Sequence, residues 1–459
     1  MVALLENLPM EPFTPSHAAA VPIESGGFRR CSDGKHSTCQ QFWVSRLARA
    51  ASKFFRALER SRVGTLFGRL TLVITAASAL TLPAIGEAAA LMTEYNFAGQ
   101  PDAANPTAKG LVLAANMCLY GISRNGGANN AGAIFRSTIL GKETVVYSFG
   151  GETDGKNPTS IVVGGDRGLY GTTEFGGSTG NGTIWKLTVN SACGPAIGTL
   201  TTLYSFTGGT DGNSPDNLVY ARDGNLYGTT PTGGTGARPL GTIFKLSPSG
   251  SGFATFYSFA GRYANDGENP TSLIQGSDGN LYGTAGGGDS RRGAGAIFRI
   301  TVAGVETVTH KFGANYHDGS GDGNGPISLT QGGDGILYGT TAGGNLPSNG
   351  GTVFELTPDG TTFSTLYGFS GGNDGLVPKV VLLKNGDLYG ITSDGGDYNF
   401  GSIFKIAGGV KSVLYSFTGV TDGAEPLALI PGLLGAVYGT TSTAGNSNND
   451  GTLFRVTIP

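Results

Sequence analysis

The stretch His317-Asp318-Gly319-Ser320-Gly321-Asp322-Gly323-Asn324 places four oxygen-bearing side chains, Asp318, Ser320, Asp322 and Asn324, at alternate positions. That spacing, with Gly323 to allow a sharp bend, suits a hard cation that takes oxygen ligands, calcium before others. The EF-hand pattern breaks at its last ligand, where Leu329 stands in place of glutamate. A solvated glycine-rich loop therefore competes with the metal reading. Asn446-Ser447-Asn448-Asn449-Asp450-Gly451 is a weaker echo of the same chemistry. Asp394 and Asp397 also stand outside any repeating pattern, so Asp318, Ser320, Asp322, Asn324, Asp394 and Asp397 are the candidate binding residues.

Other chemistries find little support. After residue 90 the only histidines are His310 and His317, and no His/Cys cluster has zinc-ligand spacing. There is no Gly-x-Ser-x-Gly elbow for a nucleophilic serine. The run Gly286-Gly287-Gly288 lacks the Lys-Ser/Thr and the following helix of a phosphate loop. No catalytic residue can be named, and calcium is the one cofactor with any local signal.

The elements that would hold these residues come from a repeat. Leu-Tyr-Gly-Thr-Thr at 226–230 recurs with variation, and the marker tyrosines are Tyr120, Tyr170, Tyr227, Tyr282, Tyr338, Tyr389 and Tyr438, separated by 50, 57, 55, 56, 51 and 49 residues. Periods near this length indicate a repeat array. Downstream of each lies a Gly-x-Ile-Phe-like element centred on Phe135, Trp185, Phe244, Phe298, Phe354, Phe404 and Phe454. A Tyr-Ser-Phe element follows, ending at Phe149, Phe206, Phe259, Phe312, Phe369 and Phe417, and a further copy, Tyr95-Asn96-Phe97, precedes the first Leu-Tyr-Gly. The fourth element is Asp-x-x-x-Pro, begun by Asp102, Asp154, Asp211, Asp266, Asp322, Asp374 and Asp422.

Short Ile/Val/Thr/Tyr/Phe runs bounded by Gly, Asp, Asn or Pro read as strands. In the third repeat these are the stretch after Pro215, then Leu226 to Thr230, Thr242 to Leu246 and Ala254 to Phe259. Asp223-Gly224, and likewise Asp278-Gly279, Asp334-Gly335 and Asn385-Gly386, read as tight mirror-image hairpin turns, which need positive φ. Four antiparallel strands in about fifty residues is a propeller blade. The expectation is an all-β, seven-bladed β-propeller over 91–459 whose last blade is closed by the N-terminal strand, since the chain opens on Tyr-Asn-Phe and has no such element after Phe454. Asp154, Asp211, Asp266, Asp374 and Asp422, with Asp102 and Asp322, read as turn residues that accept backbone N–H bonds. Tyr and Phe of the repeats read as core, His310 as a core histidine in a tyrosine slot, and Lys186, Lys245, Lys405 and Arg455 as strand-surface residues.

The 80 glycines in 459 residues, about 17% against a usual share near 7%, suit a turn-dense fold. Residues 1–90 differ: they hold ten of the 30 basic and six of the 33 acidic residues. Arg60, Arg62 and Arg69 precede an apolar run from Leu70 to Leu82, and Ala88-Ala89-Ala90 offers a cleavage site, so 60–90 reads as a cleaved export signal. An uncleaved anchor is the alternative, and the depth of the signal in the chain points to a misassigned start, with Val44 or Val63 as initiator. Without residues 1–90 the charge is 20 − 27 = −7, which disfavours nucleic acid and anionic membrane. Cys118 and Cys193 should approach each other at one rim; two free buried thiols are expected, with a bridge as the alternative.

The combination Leu-Tyr-Ser-Phe-x-Gly-Gly-x-Asp-Gly at 203–212 with Leu-Tyr-Gly-Thr-Thr and Gly-Thr-Ile-Phe-Lys-Leu at 226–246 resembles the tandem repeat of the choice-of-anchor, GloVer-type exported bacterial proteins. The resemblance covers about 92–458 and implies an exported, surface-directed protein, periplasmic, cell-surface or secreted, without implying an activity. It departs from the family in ending at Ile458-Pro459 with no sorting tail. The leading expectation is a noncatalytic monomer that presents loops to a protein or glycan partner, with no transmembrane segment once the signal is removed. The alternative is an exported polysaccharide hydrolase or lyase on the same scaffold.

Overall fold

A computed structural model describes residues 89–458 apart from 139–140, 190–192, 194–196, 236–237, 262–265, 287–293, 314–320, 345–348 and 433–434. The export-signal expectation at 60–90 falls almost wholly outside the described residues, as do His317, Asp318 and Ser320.

The third repeat shows how the sequence builds its unit. Asn217–Tyr220, Leu226–Thr230, Thr242–Leu246 and Ala254–Ser258 form a four-stranded antiparallel sheet in chain order. All five residues of Leu226–Thr230 are buried, as in a sheet covered on both faces. The register sets Gly228 opposite Phe244, and a Cβ on Gly228 would run into the Phe244 ring. Gly171 under Trp185 and Gly439 under Phe454 repeat the arrangement. The glycine of one motif and the aromatic of the next are thus two halves of one contact.

Every described sheet is made of such units. Four-stranded sheets span 217–258, 268–311, 324–368 and 376–416, and two further units, 103–148 and 156–205, join through a parallel bridge between Lys109 and Ser160. Ala90–Asn96 pairs antiparallel with Thr452–Thr457 and so completes the sheet of Ala424–Pro431 and Ala436–Thr443. First strands of successive units lie side by side, and Ala103–Leu113 neighbours both Lys156–Val163 and Ala424–Pro431. Aromatic contacts tie one unit to the next. Phe149 meets Trp185, Phe206 meets Phe244, Phe259 meets Phe298, Phe312 meets Phe354, Phe369 meets Phe404 and Phe417 meets Phe454, with centroids 5.2–5.9 Å apart. Phe97, carried by the N-terminal strand, meets Phe135 of the first unit at 4.8 Å.

Two expectations are corrected. At Asp223-Gly224 only the glycine has positive φ, 79°; Gly224 N–H bonds the Ala221 carbonyl and Asp223 Oδ1 accepts the Asn225 N–H. The connection is a three-residue turn with glycine in the left-handed position, because the aspartate stays right-handed to receive that bond. Asp278-Gly279 and Asp334-Gly335 behave alike, whereas Asn385 and Gly386 both have positive φ and form the mirror-image turn. The second correction concerns Cys118 and Cys193, which are bonded to each other with Cα atoms 5.6 Å apart. The bridge staples the second strand of the first unit to the connection after the third strand of the second, where neighbouring sheets bring the two residues within disulfide reach.

Candidate functional site

The seven recurring aspartates are each bound twice over by their own repeat. Asp102, Asp154, Asp211, Asp266, Asp374 and Asp422 accept a hydrogen bond from the hydroxyl of Tyr95, Tyr147, Tyr204, Tyr257, Tyr367 and Tyr415, at 2.7–3.0 Å. Each also accepts a backbone N–H, from Ala98, Gly150, Thr207, Ala260, Ser370 and Thr418 respectively, at 2.6–2.9 Å. In the fifth place His310 Nε2 lies 2.8 Å from Asp322 Oδ2, and Gly313 N–H bonds Asp322 Oδ1. His310 therefore does the tyrosine's work, rather than only filling core, and Asp322 belongs to the same frame. The tyrosine hydroxyls were not anticipated, although the usual spacing of seven between Tyr and Asp was in the sequence.

Each Tyr–Asp or His–Asp pair is covered by one residue of the next unit, four places before that unit's own tyrosine or histidine. Phe253 stacks on Tyr204 at 3.7 Å and Phe363 on His310 at 3.8 Å. Lys411 Nζ reaches Asp374 Oδ1 at 2.9 Å and sits over the Tyr367 ring. Leu200 and Leu91 pack in the clusters holding Tyr147 and Tyr415. Glutamates fill the remaining two places. Burial, and then the nearby Asp102 carboxylate, push Glu143 up to about 8; burial and Asp266 push Glu306 up to about 7. Glu306 Oε1 and Asp266 Oδ1 are buried without a hydrogen-bond partner among the described residues.

The strand-surface cations are also engaged. Lys186, Lys245 and Lys405 pair with Asp166, Asp223 and Asp387 and lie over Tyr170, Tyr227 and Tyr389. Although burial alone would raise it, hydrogen bonds from Asn225, Tyr227 and Lys245 hold Asp223 down to about 2. Arg455 Nε lies 2.7 Å from Glu94 Oε1.

The first strands bring residues from distant repeats together. Lys109 Nζ, in the first unit, reaches Asp216 Oδ2 in the third at 2.5 Å and the Thr271 carbonyl in the fourth at 2.5 Å. Lys379, in the sixth unit, is depressed by burial, opposed by the charges of Glu425 and Asp394. Of the candidate binding residues, Asp394 thus lies in the field of Lys379. Among the described residues Asp397 accepts one side-chain bond, a long one from Asn373 Nδ2 at 3.4 Å, and its N–H bonds Ser416 Oγ. Asn324 Nδ2 faces Asn349 Oδ1 at 3.5 Å. Asp394 and Asp397 flank or enter a loop, 394–401, whose Tyr398 and Phe400 are 58% and 42% exposed. Those two aromatics escaped the sequence reading, because Tyr and Phe elsewhere in the repeats are core.

Among the described residues no helix is long and apolar enough to cross a membrane. No curated protein matches this chain. Solved structures show the fold alone. The extracellular domain of a Bacteroides thetaiotaomicron protein described as a hybrid two-component system has a TM-score of 0.52 at 12% identity, over 80% of this chain and 41% of that one. The extracellular domain of a one-component system from the same organism has a TM-score of 0.50 at 12% identity, over 81% and 42%. This chain spans less than half the length of either. The model of the Gloeobacter/Verrucomicrobia repeat matches three times, at residues 64–193, 141–321 and 314–459, which is the repeat that the Leu-Tyr-Gly, Ile-Phe and Tyr-Ser-Phe motifs resemble, and the chain belongs to this repeat family.

Proposed function

We propose that this protein is an exported, noncatalytic seven-bladed propeller that presents irregular loops from a rigid frame to a partner outside the cell. The succession of aromatic contacts supports a closed ring, since it runs from each unit to the next and returns through Phe97 on Phe135. The pairing of Ala90–Asn96 with Thr452–Thr457 supports closure by the N-terminal strand, which leaves no raw sheet edge. The Cys118–Cys193 bridge fits an oxidising compartment, and the two solved neighbours are themselves extracellular domains. We place signal cleavage at Ala88-Ala89-Ala90, where the first strand, Ala90–Asn96, begins.

The observation that carries the binding reading is a division of labour: every repeat spends its aspartate on its own turn, while single repeats carry departures such as loop 394–401 and insertion 317–324. We retain Asp318, Ser320, Asp322 and Asn324 as a calcium proposal for that insertion. The hydrolase or lyase reading would need carboxylates without turn partners, and Asp394 beside Lys379 and Glu425 is the arrangement to test. The experiment is to secrete the full chain, confirm the mature N-terminus by mass spectrometry, and screen it for polysaccharide binding and for release of reducing ends. Binding without release supports the reading; release of sugar ends overturns it.

A further inference from the structure

The loop between the second and third strands of the sixth repeat, Asp394-Gly395-Gly396-Asp397-Tyr398-Asn399-Phe400-Gly401, carries two aromatic residues. Of the corresponding loops elsewhere, only that of the second repeat has one, Phe175; the others carry no aromatic residue, and their large aliphatic side chains are Leu240 and Leu346. Both rings are partly exposed, and Val420, next to Gly419 in the link between repeats, is 65% exposed. Phe400 lies against the backbone of Gly419, where a Cβ would meet its ring, and its carbonyl accepts the Glu425 N–H at 3.0 Å. Asn399, at φ 63°, closes a turn onto the Gly396 carbonyl, and Gly401 N–H bonds the Gly395 carbonyl. The platform is therefore held in place by backbone bonds before anything binds, which lowers the ordering cost of association.

Resting on the binding role proposed above, we propose that Tyr398 and Phe400 form a stacking platform for uncharged pyranose units of a polysaccharide. Asp397 and Asn373 supply its hydrogen-bonding edge. A pyranose ring presents a face of C–H bonds that packs on an aromatic ring, with hydroxyls around its rim. The segment offers both features: exposed apolar side chains in Tyr398, Phe400 and Val420, and the Asp397 carboxylate, whose side-chain bond from Asn373 is long. A carboxylate accepts two hydroxyls readily. A protein partner would instead call for a wider apolar centre with its polar groups at the rim. Charge decides the class of sugar, since Asp394, Asp397 and a repeat region of net −7 repel uronate or sulfated chains.

The test is affinity electrophoresis and calorimetry of the full chain with soluble neutral polysaccharides, such as hydroxyethyl cellulose, dextran and laminarin, against polygalacturonate as the acidic control. Wild type should be retarded by at least one neutral polymer and not by polygalacturonate. Tyr398→Ala should weaken that binding about tenfold or more, the scale of losing one stacked ring; Tyr398→Phe should retain it, and Asp397→Ala should weaken it several-fold. Tyr398→Ala is the decisive variant, because Phe400 also packs on Gly419. Neutral-polymer binding unaffected by Tyr398→Ala overturns the platform while leaving the binding role intact. Binding to the acidic control alone, or to no polymer, overturns the platform as well. Release of reducing ends overturns the noncatalytic reading instead.

Discussion

Asp211→Ala probes the frame at an aspartate whose bonds all come from its own repeat. Asp211 is 7% exposed; its Oδ2 accepts the Tyr204 hydroxyl at 3.0 Å and the Thr207 N–H at 2.7 Å, and its Oδ1 accepts the Thr207 hydroxyl at 2.6 Å. Alanine leaves a backbone N–H and a phenol without their acceptor. A stranded buried donor costs about 1–3 kcal/mol, and the half-buried phenol can turn partly to water, so the expected loss is about 2–4 kcal/mol. Tyr204→Phe removes one bond and leaves the carboxylate its other two, for about 1 kcal/mol. In the double variant no phenol is stranded, so its cost should fall short of the sum by about 1 kcal/mol. Urea titrations followed by fluorescence of Trp185, buried in the preceding unit, measure all three. A loss below about 0.5 kcal/mol for Asp211→Ala, the ordinary scale of a neutral surface change, or strict additivity of the pair, would refute the account of the frame.

Further expectations concern single sites. Glu143 and Glu306 are raised from 4.5 to about 8 and about 7, so between those values the folded state holds protons that the unfolded chain has released. Their contribution is therefore greatest in acid and declines as pH rises from about 4.5 toward 8; melting scans should show Glu143→Gln/Glu306→Gln flatter over this window and more stable than wild type at its upper end. Val377 sits at φ 51°, where Asn105, Asn157, Ser214 and Asn269 stand in the equivalent places of other repeats. A β-branched residue is strained there, so Val377→Asn should raise stability by about 1 kcal/mol, and a lower melting temperature would count against the strain. For the insertion, millimolar calcium should raise the melting temperature of wild type and not of Asp318→Ala, through binding to the folded state. Asp318→Ala is the cleaner variant because Asp322 also anchors His310 and Gly313; no shift in wild type removes the metal proposal.

What the sequence determined by itself is local. The strand positions of the third repeat and the four-stranded unit were legible because apolar runs, turn residues and their spacing act over a few residues and recur along the chain. The same locality misled at Asp223-Gly224, where a carboxylate bond two residues on, and not the turn dipeptide, chose the backbone conformation. Tertiary structure alone decided what comes from different repeats. It joined Cys118 to Cys193 across 75 residues and Lys109 to Asp216 across 107. It also set Phe253, Lys411 and Glu306 over the anchors of preceding units. In those positions sheet-on-sheet packing determines the neighbour, and nothing in the local chain records it. Tyr398 and Phe400 show this most plainly, since the same residue types that build the core elsewhere are turned to water here by the loop that carries them.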